Sequence, residues 1–151
     1  MKATMQIFIR NQLTDKPNNS CELKVGDHVI LTTDQKQIFF GHQVIGFSRE
    51  PGGNNYLVHM DGESYWIPYP QRQLRKIAPQ LGDKLRAVRQ ILKQAAQQDG
   101  DNERLLALLN MFNTSINSFI EGEQFDLLHS YCNDILTFFD DSRPIGQRDD
   151  S

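Results

Sequence analysis

The sequence predicts an α+β chain in which a small, strongly bent antiparallel β-barrel is followed by a three-helix bundle. Two observations carry this. Between Lys24 and Pro79, short runs rich in Val, Ile, Phe, Tyr and Trp alternate with glycine turns at Gly41, Gly46, Gly52-Gly53 and Gly62, the grammar of short strands. From Leu81 onward, apolar residues instead recur every three or four positions, the period of an amphipathic helix. The expected division is a barrel domain over 1–79 with an accessory N-terminal strand, a helical bundle over 80–141, and an acidic flexible tail over 142–151.

Taken in order, TMQIFIR at 4–10 is rich in β-formers. Period two sets Met5, Ile7 and Ile9 on one face and Gln6, Phe8 and Arg10 on the other, so a strand is expected, as an edge of the barrel or a lid on it. The polar, proline-containing NQLTDKPNNS is a loop. Val25-Gly26-Asp27 turns into the strand HVILTT, residues 34–37 form a polar turn, and a strand follows over 38–47 with a bend at its glycines. SREPGGNN is a loop, 56–60 a strand, Asp61-Gly62 a hairpin turn, and Tyr65-Trp66-Ile67 a further strand. Pro68 and Pro70 interrupt the ladder because neither has an N–H to donate. Residues 74–77 close the barrel.

The first helix carries Leu81, Leu85, Val88, Leu92 and Ala95 on one side, with Pro79 just ahead of it. Gln98-Asp99-Gly100-Asp101 breaks it, and Asp101 is the expected N-cap of a second helix with Leu105, Leu108 or Leu109, Phe112, Ile116 and Phe119. Gly122 separates a third with Leu128, Tyr131, Ile135 and Phe138 or Phe139.

Residues 22–79 resemble the Tudor-like and wider SH3-like small barrels. The resemblance rests on Val25-Gly26-Asp27-His28-Val29, on Asp34 with the pair Phe39-Phe40, on Gln43-Val44-Ile45, on Tyr56-Leu57-Val58-His59-Met60-Asp61-Gly62, and on Trp66-Ile67-Pro68 with Leu74-Arg75. It implies an aromatic recognition site drawn from Phe39, Phe40, Tyr56, Tyr65, Trp66 and Tyr69. There, rings at strand ends would cage a methylated cation by cation–π attraction, with Asp61 or Glu63 as its acid. Core packing is the competing reading of the same rings. The helical half resembles no family.

Charge is segregated: residues 1–79 carry nine Lys/Arg against seven Asp/Glu, and residues 80–151 carry seven against twelve. Arg72, Arg75, Lys76, Arg86, Arg89 and Lys93 concentrate positive charge and are candidates for phosphate contacts, against the alternative of an ordinary solvated face. Phe119, Tyr131, Phe138 and Phe139 make an aromatic surplus that either closes the packing or forms an interface, with a partner or with a second copy in a homo-dimer.

Catalytic chemistry is thin. His28, His42, His59 and His129 lack metal-ligand spacing, Ser64, Ser118 and Cys132 lack an adjacent base, and no phosphate loop is present. No catalytic residue, metal or cofactor is expected. Two cysteines, Cys21 and Cys132, make no disulfide framework. The apolar stretch in MKATMQIFIRNQ is too short for a signal peptide, so a cytoplasmic protein is expected, without a membrane span. The expected function is a non-catalytic adaptor or regulatory protein that binds a protein partner through the barrel aromatics or the aromatic helical face. A nucleic-acid-associated accessory protein using the basic 72–93 surface is the alternative, and a small enzyme the third.

Overall fold

The computed structural model describes residues 2–15, 22–49 and 56–141. The chain divides into two compact units, Met1–Gly82 and Asp83–Ser151. Cys21, the loop at 50–55 and the acidic tail at 142–151 lie outside the described residues.

Unit 1 contains α1 (Lys2–Gln12), β1 (His28–Thr32), β2 (Ile38–Arg49), β3 (Tyr56–Met60) and, after a 3₁₀ turn at Gln71–Gln73, β4 (Leu74–Lys76). Its four strands form one antiparallel sheet in the order β3-β2-β1-β4. The sheet is open. β3 and β4 lie at opposite ends of it, which corrects the expected closed barrel and removes the basis for the Tudor-like and SH3-like resemblance. The physical reason lies in the segment meant to close the ring. Tyr65-Trp66-Ile67 is a turn, tied to itself by the Ile67 N–H donating to the Ser64 carbonyl at 3.0 Å, and β4 is only three residues long and pairs with β1 alone.

β2 is the spine of the sheet. Its first half pairs with β1 and its second half with β3, and the register shifts between Val44 and Gly46. Such irregularities bend a strand. In the second half, the flank opposite β3 is taken by Thr14, which exchanges two backbone hydrogen bonds with Phe47 at 2.8 and 2.9 Å. One sheet face buries Leu23, Val29, Leu31, Val44, Phe47, Val58 and Met60 as the core, with Tyr56, Tyr69 and Leu74 packed against it.

The N-terminal segment is a helix, not the expected accessory strand. Met5, Phe8, Ile9 and Leu13 are half-buried while Ile7 is 56% exposed, which is helical spacing rather than alternation. The close approach is made possible by Gly46. A Cβ there would sit 2.8 Å from a Leu13 methyl carbon, so only glycine leaves room for the segment after α1.

Unit 2 is built from α2 (Pro79–Gln98, its first turn in unit 1), α3 (Glu103–Glu121) and α4 (Phe125–Asp141). α2 buries Leu81, Leu85, Val88 and Leu92. The N-cap of α3 is Asn102, one residue beyond the expected Asp101: its side-chain oxygen accepts the Leu105 N–H at 3.1 Å. Leu109, Phe112, Ile116 and Ile120 of α3 meet Leu128, Cys132 and Ile135 of α4 in the interior. No helix among the described residues is long and apolar enough to cross a membrane.

Candidate binding surface at the Trp66 turn

The residues after β3 are held by several hydrogen bonds. The Asp61 N–H donates to the Gln43 carbonyl at 3.0 Å, and the Asp61 carboxylate accepts the Gln43 N–H at 2.9 Å. His42 Nδ1 donates to the Asp61 carbonyl at 2.9 Å. Gly62 has φ of +113° and packs against the same His42 ring, a conformation that side-chain-bearing residues rarely adopt.

The next support comes from His59. Its Nδ1 lies 3.0 Å from the Tyr65 carbonyl, which can only accept, so Nδ1 carries the proton. In the neutral ring Nε2 is then the acceptor, and Ser48 Oγ donates to it at 2.7 Å. Ser48 and His59 are diagonal neighbours across the β2–β3 ladder, where Gly46 faces His59 and Ser48 faces Leu57. Phe8 of α1 covers the imidazole with ring centroids 5.6 Å apart, and His59 is 2% exposed. A hydroxyl and a base are therefore in contact, a pair missed in the sequence because eleven residues separate them. Their hydrogen-bonding capacity is spent inside the fold, as a brace running from β2 to the turn.

Burial holds the His59 imidazole below its ordinary pKa, with the Tyr65 carbonyl pulling the other way. Unfolded His59 takes up a proton near pH ~6.5 and the folded ring only at lower pH, so the unfolded chain binds more protons as acid is added. The contribution of His59 is complete above pH ~6.5 and is lost as the pH falls from there towards the folded value. In urea titrations at successive pH values, stability is expected to drop below pH ~6.5 with a slope of up to about 1.4 kcal/mol per unit. That slope should be absent from a His59→Leu variant.

The brace presents an aromatic ridge. Tyr65 contacts Phe8 edge-on at 5.4 Å and Trp66 at 5.2 Å with the planes at 89°. Trp66 is 55% exposed and Ile67 beside it 37%. Of the six expected recognition aromatics, the structure joins only Tyr65 and Trp66. Phe40 is buried on β2, Phe39 is exposed on the same strand, and Tyr56 and Tyr69 pack against the core. Phe8 and His59, which complete the cluster, were legible in the sequence only as a strand residue and an unassigned histidine.

The basic candidates divide between the two units. Arg72 pairs with Asp34 at 3.3 Å and Lys76 with Asp27 at 3.6 Å, both on β1–β4 and their flanks. Arg75 is exposed on β4. On α2, Arg86 and Arg89 are half-buried and Lys93 is exposed. Burial, and then the charge of Arg89, lowers the Arg86 pKa. The helical aromatics do come together: Phe119 with Tyr131, and Phe138 with Phe139, linked through Phe112. Cys132 is a buried free thiol, and burial pushes its pKa up to about 11 against the pull of Lys84, so it stays protonated and inert. Among the described residues no three His, Cys, Asp or Glu side chains gather as metal ligands.

The chain matches no protein-family model, and neither a curated protein nor a solved structure matches it.

Proposed function

We propose that the chain is a non-catalytic adaptor that captures a protein partner, with Trp66 as its anchor in an apolar pocket of that partner. One observation carries the reading: an indole more than half exposed, mounted on a turn whose backbone is pinned by Gln43, His42 and the Ser48–His59 brace. Exposing a large apolar ring is costly to solubility, and rigid Trp and Tyr side chains supply contact area at little entropic cost. Tryptophan is also among the residues most enriched at the energetic centre of interfaces.

Affinity capture from nuclease-treated lysate of the native host should recover a protein partner with the wild-type chain. Trp66→Ala is expected to weaken that capture by about 2 kcal/mol or more, roughly thirtyfold. Its folding stability should fall by no more than about 1.5 kcal/mol, the loss of the edge-to-face contact with Tyr65, with the chain still folded. Unchanged capture by the variant would overturn the anchor. Loss of all partners on nuclease treatment would instead move the reading to the basic residues 72–93 and nucleic acid.

A further inference from the structure

Unit 2 carries a second surface, independent of the Trp66 turn. Helical register lays Leu108, Met111 and Phe119 along one flank of α3, and Leu127, Tyr131 and Phe138 along one flank of α4. The two flanks meet over Phe112, which is 8% exposed and touches Tyr131 at 6.2 Å and Phe138 at 6.0 Å; Phe119 joins Tyr131 at 5.4 Å. α2 occupies the other side of α4, where Lys84 Nζ donates to His129 Nε2 at 2.8 Å and to Asn133 Oδ1 at 2.6 Å. The aromatic seam is thus turned away from α2. Along it Met111 is 51%, Leu127 53% and Phe138 45% exposed.

The two helices that form the seam are predominantly acidic. Residues 103–141 carry seven Asp/Glu, and their one basic residue is Arg104 at the start of α3. We propose that the seam between α3 and α4 binds an amphipathic helix of a partner protein, one whose apolar stripe is bordered by Lys and Arg. The groove between two packed helices accepts the ridge of a third, and partly exposed rings supply its anchors. The net negative charge of the two helices attracts a basic helix, and it sets a second copy of the same helices at a disadvantage by like-charge repulsion.

The test uses the full chain and a labelled amphipathic peptide of about 18 residues, roughly five helical turns, with a leucine face bordered by lysines. Fluorescence anisotropy should show this peptide binding, and weakening as salt is raised, while the version with Glu in place of Lys does not bind. Phe138→Ser and Leu127→Ser should each weaken it by about tenfold or more at unchanged helix content. Trp66→Ala should leave it intact, so this inference and the Trp66 reading fail separately. Equal binding of the Glu peptide, or wild-type affinity in both seam variants, would overturn the proposal. So would sedimentation showing a dimer that Phe138→Ser dissolves, since the occupant is then a second copy.

Discussion

Replacing His59 with Leu is expected to destabilise unit 1 by about 2–4 kcal/mol, although the substitute fills much of the same volume. The ring sits at 2% exposure beneath Phe8, so the loss does not come from removing apolar contact. It comes from the two groups left behind. Ser48 Oγ and the Tyr65 carbonyl both depend on the imidazole, one at each nitrogen, and a buried polar group without a partner costs about 1–3 kcal/mol. Urea unfolding followed by the emission of Trp66, the chain's single tryptophan, reads both consequences. The midpoint should fall, and the native emission should shift as the turn loosens. A Ser48→Ala/His59→Leu double variant should recover part of the loss, because removing both partners leaves fewer orphaned groups. A His59→Leu chain as stable as wild type would show that the brace contributes nothing.

Phe47→Ala should be more damaging, at about 3–5 kcal/mol. Phe47 is fully buried on β2, in the cluster with Val29, Val44, Val58 and Met60. Its backbone is also where Thr14 and Val58 meet β2 from opposite sides. Truncation opens a cavity at a row where the post-helical segment, β2 and β3 are joined. The expected result is a lowered urea midpoint together with faster hydrogen exchange at the Thr14 amide, which donates to the Phe47 carbonyl. Loss of stability without faster exchange there would separate the core from the tether of α1.

Much of the secondary structure could be read from the chain. The spacing of Leu81, Leu85, Val88 and Leu92 gave α2, and Phe112 with Ile116, or Leu128 with Ile135, gave α3 and α4. These signals are local and need no tertiary information. The N-terminal segment was misread because Ile7, Phe8 and Ile9 run together and favour a strand by propensity. The decisive contact lies between Leu13 and Gly46, far along the chain. The spacing of Met5, Phe8, Ile9 and Leu13 was the available clue. Closure failed for a similar reason. Whether a last strand pairs with β1 alone or completes a ring is a question of long-range hydrogen bonding, on which the residues around Pro68 and Pro70 are silent. Tyr65 and Trp66 were legible as aromatic candidates, whereas the Ser48–His59 contact exists only once the β2–β3 register is set.

An unclosed sheet has two rims that could template pairing with other chains, and each rim is blunted differently. At β3, Val58 exchanges two backbone hydrogen bonds with Tyr69, at 2.7 and 2.9 Å, so the middle of that strand is already occupied. At β4, the rim is three residues long and bears Arg75 and Lys76, whose charges would stack against their own kind in any copy laid alongside. Short, charged or capped margins are how antiparallel sheets resist edge-to-edge growth. The Tyr69 cap on one rim and the basic residues on the other thus act as a safeguard against aggregation, which a ring of strands would not have required.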